Sequence, residues 1–342
     1  MTDFRHPPLQ PGWINRPHQT LPLGRFALES GAAIEDFALS YVVHGAMNDA
    51  RDNVVLGLTA IGSTHHRLDF LIGPGKPLDT DRFCVVVADA IGNGLTASPS
   101  TSARQKGTAF PRFTIRDMVA SQKALVDHLG IARLHAVIGA SMGGMQALQW
   151  AVAHPRSMAK VAALVPMAQT TAWSVAVNEA SRRALMADPE WEHGPAERGW
   201  HAWTAVMQAL AARTPAAMAA TCAHPRDAVD WIAARWQAQR AIGLAAVDWI
   251  YQTYAYDAHD VAATPGCGGD LRRALAAIAA ETLIAAAPDD LYNPTAEARA
   301  AAALIPRARY VEIPSILGHQ AASGADAEDV AFIARVLRAF LH

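Results

Sequence analysis

The stretch LHAVIGASMGGMQALQW, residues 134–150, decides the fold. An apolar run from Leu134 to Ile138 meets Gly139-Ala140-Ser141-Met142-Gly143, and a helical pattern begins at Gly144. This reads as strand, sharp turn and helix, with a serine at the apex. Small residues two positions on either side of the serine let the chain bend into a strained turn, the spacing of a nucleophile elbow. The helix that follows points its free N–H groups and its partial positive charge at the place where an oxyanion forms during acyl transfer. The competing reading is a tight structural turn with an idle serine, since a G-x-S-x-G string arises by chance in roughly one chain in ten of this size. The buried strand before the string and the helix after it, with Met145, Leu148, Gln149 and Val152, favour the catalytic reading of Ser141.

Outward from the elbow, the pattern is α/β. Arg25 to Glu29 and Phe37 to His44 alternate and predict an antiparallel pair, whereas Val54 to Leu58 and Phe83 to Ala88 are continuous apolar runs suited to a parallel sheet buried on both faces. A helix is expected from Thr114 to Gly130, and a further strand at Val161 to Val165. Strand signal then gives way to Ala-rich, Trp-bearing helices at Trp173–Met186, Arg198–Ala212 and Ala228–Tyr256, before strands return at Thr282–Ala287 and Arg309–Ile313 with a terminal helix from Ala327 to Leu341. The expected organisation is a mostly parallel, doubly wound α/β-hydrolase fold: core residues 1–166 and 280–342, and a helical lid inserted at 167–279. Residues 1 to about 23, rich in Pro and polar groups, are expected to wrap the surface.

In such a fold the triad order is Ser, then Asp or Glu, then His. The strand Thr282–Ala287 runs into Pro288-Asp289-Asp290, and the loop after the last strand ends at Gly318-His319. His319 would take the Ser141 proton and return it to a leaving group, with a buried carboxylate fixing the imidazole tautomer. Neighbouring side chains point in different directions, so only one of the two aspartates can serve. Asp289 is favoured, with Asp290 left as a solvated loop residue or a helper at the turn. The oxyanion donors are expected to be the N–H of Met142 and that of Leu58 or Thr59, the strand end leaving the choice open. His65 and His66, and the set Asp188, Glu190, Glu192 and His193, lack the i, i+4 pairing or cysteine support of a zinc site. They read as wet loops, and no metal is expected.

With 342 residues, 51% hydrophobic and 18% charged, the chain has ample core, and a net charge of −2 offers no basic field for nucleic acid or an anionic membrane. A small-molecule substrate is the default partner. The start, MTDFRHPPLQPGW, has no apolar h-region. Cys84, Cys222 and Cys267 are widely spaced, so a reducing cytoplasm without a disulfide framework is expected.

Four segments carry a resemblance: GASMGGMQALQWAVAHP (139–155), FTIRDMVASQKALVDHLGI (113–131), IGPGKPLDTDRF (72–83) and TTAWSVAVNEASRRALMADPEW (170–191). Together they resemble the homoserine O-acetyltransferase family, from about Val54 to the end of the chain and most weakly across the inserted helices. The resemblance implies an α/β-hydrolase fold, a Ser-Asp-His triad, an acyl-serine intermediate, acyl-CoA as co-substrate with no cofactor, and a homodimer. The family's late D-x-L-F-x-P segment matches Asp289 to Pro294 and adds support for Asp289. The chain departs from the family pattern where substrate is chosen. Gln320 follows His319 where the family has an aspartate, and the family's lid arginine and nearby tyrosine fall near Ala205 and Ala212 here. A zwitterionic acceptor needs a partner for each charge. An acceptor other than homoserine is therefore expected, in a more apolar pocket to which Trp200, Trp203, Met207 and Leu210 contribute, with Trp173, Trp203 and Gln320 as candidate substrate contacts. The favoured function is hydrolysis of a small ester, thioester or amide. The alternatives are acyl-CoA-dependent transfer to another alcohol and a non-catalytic binding protein.

Overall fold

The computed structural model describes residues 6–342, apart from the side chains of Leu210, Arg240 and Ala241. Its strands are β1 (Gln19–Ala27), β2 (Ala33–His44), β3 (Val54–Leu58), β4 (Cys84–Ala88), β5 (Leu134–Ala140), β6 (Met158–Leu164), β7 (Glu281–Ala286) and β8 (Ala308–Glu312). They form one sheet in the order β1-β2-β4-β3-β5-β6-β7-β8. From β4 to β8 all neighbours are parallel, and β1 and β2 join as antiparallel strands at one edge.

The unbroken apolar runs follow from burial on both faces. Val54, Leu56, Val86 and Val137 enter one core layer, while Val55, Val85, Ala136 and Ile138 enter the other. Each layer is closed by helices: α1 (Ile115–His128) and α2 (Met142–Ala153) cover the first, and α10 (Ala327–Leu341) covers the second. A capping box between Thr114 and Asp117 fixes the start of α1. The first strand begins earlier than the expected Arg25, because the edge of the sheet tolerates Pro22 in a strand that pairs on one side.

Between β6 and β7 lie α3 (Ala172–Met186), α4 (Glu197–Thr204) continuing into a π-helical stretch (Ala205–Ala211), α5 (Pro215–Thr221), α6 (Asp227–Ile242), α7 (Ala246–Asp257) and α8 (Leu271–Ala276). The single helix expected over Ala228–Tyr256 is two. Gly243 adopts φ +71°, the left-handed conformation that ends a helix, and separates α6 from α7. The last core helix, α9 (Thr295–Leu304), connects β7 to β8. Among the described residues no helix is long and apolar enough to cross a membrane.

Candidate active site

The elbow is built by backbone crowding. Ser141 holds φ 58° and ψ −124°, between β5 and the first turn of α2. A Cβ on Gly139 would lie 2.2 Å from the Gly143 carbonyl oxygen, and one on Gly143 would lie 2.5 Å from that of Leu58. Neither contact can relax without moving main chain, so both positions require glycine. The buried Gln146 amide donates to the Thr59 carbonyl at 2.9 Å, and the Thr59 hydroxyl accepts from the Ala90 N–H at 3.1 Å. The turn after β3 is thus pinned against α2, with the N–H of Met142 among those that a first helical turn leaves without an intrahelical partner.

Ser141 Oγ lies 2.8 Å from His319 Nε2, and His319 Nδ1 lies 2.8 Å from Asp290 Oδ2. All three side chains are buried. The aspartate facing the histidine is Asp290, which corrects the expectation of Asp289. Asp289 sits at φ 55° and turns its side chain to solvent. Asp290 instead closes the turn: its Oδ1 accepts the N–H groups of Tyr292 at 2.9 Å and Asn293 at 2.8 Å, leaving Oδ2 for the imidazole. An aspartate that can bond the amides two and three residues ahead was the available signal, since Asx turns do this routinely. Gly318 reinforces the arrangement, because a Cβ there would meet the Asp289 carbonyl at 3.0 Å.

Behind the histidine lies a polar chain that the sequence reading missed. The Tyr292 ring stands edge-on to His319 at 5.0 Å, and its hydroxyl donates to Asn178 at 2.6 Å. Asn178 in turn donates to Asp257 at 2.7 Å, which pairs with Arg182 at 2.6 Å. The hydroxyl of Tyr256 donates to Asn293, whose amide donates to the Val165 carbonyl at 2.7 Å. Burial pushes both phenols well above their ordinary range, so they remain protonated donors.

A cavity of about 260 Å³ opens over Ser141 and His319. Trp203, Met207, Leu244 and Trp249 form its apolar wall, and Ala212, Gln320 and Arg67 also line it. The side chain of Leu210 lies outside the described residues. Trp173 does not reach this cavity: it is 55% exposed and its indole N–H donates to the Leu291 carbonyl at 2.6 Å. No aspartate or glutamate is among the described residues that line the cavity. Arg67 is the cation the sequence reading overlooked. Desolvation by burial lowers it to about 10, which leaves it charged at neutral pH.

His65 and His66 are buried, not wet loop residues as expected. They lie in a 3-10 segment (His65–Leu71), where Asp89 and Asp69 take their Nδ1 atoms at 3.1 and 2.6 Å. Asp188 is also buried, because it accepts the N–H groups of Glu190, Arg198 and Gly199 at 2.9 to 3.1 Å and so closes the turn before α4.

A family model described as alpha/beta hydrolase fold matches residues 68–316. A homoserine O-acetyltransferase of Trichormus variabilis is 33% identical over 316 residues, covering 86% of this chain and 87% of that protein. The chain belongs to the homoserine O-acetyltransferase family of α/β-hydrolase-fold proteins. The homoserine O-acetyltransferase of Methanosalsum zhilinae is 40% identical over 184 residues, 49% of this chain and 37% of that protein. The matched stretch likewise spans less than half of two other curated relatives, 39% and 47% of their lengths. Among solved structures, an acetylester hydrolase from Corynebacterium glutamicum superposes with a TM-score of 0.88 at 25% identity, over 95% of this chain and 96% of that one.

Proposed function

We propose that this family member is a serine hydrolase that cleaves small esters through an acyl-Ser141 intermediate. The observation that carries the reading is the continuous relay Ser141–His319–Asp290 at 2.8 Å per step, opening into a cavity whose described lining holds Gln320 and Ala212 but no carboxylate. Homoserine's ammonium would have no anionic partner in such a cavity, and burying it unpaired costs several kcal/mol. The likeness to an acetylester hydrolase supports the same conclusion.

In the first half-reaction Ser141 Oγ attacks the ester carbonyl while His319 Nε2 takes the hydroxyl proton. The new O⁻ is held by the N–H of Met142 and a second N–H from the Leu58–Thr59 turn. Asp290 keeps the imidazole oriented and stabilises its cation. The intermediate collapses, the C–O bond to the alcohol breaks, and His319 returns the proton to the departing alkoxide. In the second half-reaction His319 deprotonates a water, which attacks the acyl carbonyl, and Ser141 leaves with its proton restored. No cofactor is needed. The segment 167–279 acts here as a lid that supplies the apolar wall.

The second reading, transfer from an acyl-CoA thioester to an alcohol other than homoserine, rests on family membership and uses the same residues with the acceptor in place of water. The partition of the acyl-enzyme separates the two. With p-nitrophenyl acetate and a panel of alcohols, the hydrolase reading expects acetic acid as the main product at all alcohol concentrations tested. Saturable ester formation from acetyl-CoA and one alcohol, outrunning hydrolysis, would replace it with the second.

A further inference from the structure

Outside the Ser141 cavity, the described structure gathers four histidines from two separate stretches of the sequence. His6 and His18 come from the segment before β1, and His65 and His66 from the 3-10 turn after β3. The ligand nitrogens of His6, His18 and His65 all lie within 4.8 Å of one another. Their ring centroids are 4.4 Å apart for His18 and His65, 4.8 Å for His6 and His18, and 5.4 Å for His6 and His65.

The outer contacts of these rings orient them inward. His65 Nδ1 lies 3.1 Å from Asp89 Oδ2, and His18 Nδ1 lies 3.2 Å from the Ser40 hydroxyl, which itself donates to Asp89 at 2.9 Å. One buried carboxylate therefore stands behind two imidazoles. This leaves the Nε2 atoms of His18 and His65 directed into the cluster, and both are buried with no hydrogen-bond partner among the described residues. A buried polar atom without a partner is costly, so two in one place require an explanation. His66 closes the fourth side: Asp69 holds its Nδ1 at 2.6 Å, and its Nε2 is 3.0 Å from His6 Nε2.

We propose that His6, His18 and His65 form a binding site for one divalent first-row transition ion of the zinc type, with His66 or water in the fourth position. Imidazole suits such ions, and a carboxylate or hydroxyl on the second ring nitrogen is the arrangement that fixes a metal-binding tautomer. For His6 and His18 the neutral form that a ligand needs is favoured chiefly by burial, which lowers His6 and brings His18 down to about 4. Tetrahedral zinc with bonds of about 2.0–2.1 Å sets its nitrogens roughly 3.4 Å apart, so binding draws the three side chains together by about an ångström. The role is structural. Since Arg67 follows His66 and lines the Ser141 cavity, the ion would clip the chain's early segment to the cavity wall.

The test uses the untagged full chain, stripped with a chelator, desalted and titrated with Zn²⁺ by calorimetry, with thermal unfolding followed in parallel. The expected result is one ion per chain and a higher melting temperature. His6→Ala and His18→Ala, which spare the sheet core, should each weaken binding by at least about 100-fold, while His154→Ala, outside the cluster, should bind as wild type. Replacement by Co²⁺ should give the visible absorption of a four-coordinate nitrogen site and lose it in both variants. Binding that is absent or not one-to-one in the wild type, or binding by His6→Ala and His18→Ala equal to wild type, overturns the proposal.

Discussion

Two buried histidines in this molecule share the same support and face different company. His319 has Asp290 on Nδ1 and the Ser141 hydroxyl on Nε2; His65 has Asp89 on Nδ1, no hydrogen-bond partner for Nε2 among the described residues, and the His18 and His6 rings beside it. In both places the carboxylate fixes the tautomer and aims a lone pair. The third group then decides the chemistry: a hydroxyl held in a strained elbow makes a nucleophile, whereas converging imidazoles make a ligand set. A carboxylate–histidine pair is thus a device for orientation, and its meaning lies in what stands opposite it.

The largest expected effect tests the first of these pairs. Ser141→Ala and His319→Ala should each lower ester turnover by about 10⁴ to 10⁶-fold, and the double variant should be little worse than either, because triad members act as a unit. Additive losses in steady-state kinetics would break the assignment. The choice of aspartate comes next. Asp290→Asn should cost about 10³ to 10⁴-fold in kcat, while Asp289→Asn, on an exposed side chain, should stay within about threefold of wild type. The reverse pattern would restore Asp289.

Asp89→Asn sharpens the contrast between the two pairs. It should leave Ser141 chemistry in place and weaken Zn²⁺ binding by about 10 to 100-fold, read by calorimetry. A loss of ester turnover with unchanged metal affinity would merge the two regions that the account keeps separate.

Asp248 offers a smaller test on a carboxylate with no histidine at all. It is buried, accepts from the N–H and hydroxyl of Ser100 at 2.9 and 2.5 Å, and is raised to about 7 by burial against the pull of those bonds. An acid raised on folding binds more protons in the native state, so stability should fall as pH rises from about 4 to about 7. Denaturant titrations across that window should show a decline of a few kcal/mol in wild type, and Asp248→Asn should flatten it. The smallest expected effect is at Arg67. Arg67→Ala should lower kcat/KM for an ester bearing a carboxylate by about 10-fold and leave a neutral acetate unchanged, consistent with loss of one partly solvated charge contact.

Much of this was legible in the chain because local rules and tertiary demands agree at the elbow. The two glycines, the apolar runs and the late Gly318-His319 each report a backbone requirement, and such requirements leave marks in sequence. The β strands buried on both faces were readable for the same reason. What escaped depended on directions that spacing does not encode. Asp289 and Asp290 are adjacent, and only the left-handed φ of Asp289 decides which carboxylate faces inward. Trp173 has the composition of a pocket residue but lies on the outer surface. His6 and His65 are separated by the whole of the first three strands, so their meeting required the sheet edge to bring the early segment beside the 3-10 turn. Arg67 was hidden in the same turn, where a run of two histidines and an arginine reads as an ordinary polar loop.

The central claim is that Ser141 is the acyl-carrying nucleophile, and the most direct test is covalent. Folded protein is treated with a fluorophosphonate probe, and separately with p-nitrophenyl acetate under rapid acid quench, and the modified peptide is located by mass spectrometry. The account predicts a single adduct on Ser141 in the wild type, and none in His319→Ala on the same timescale. Wild-type protein that stays unlabelled at Ser141, or labels elsewhere at the rate of turnover, would contradict it.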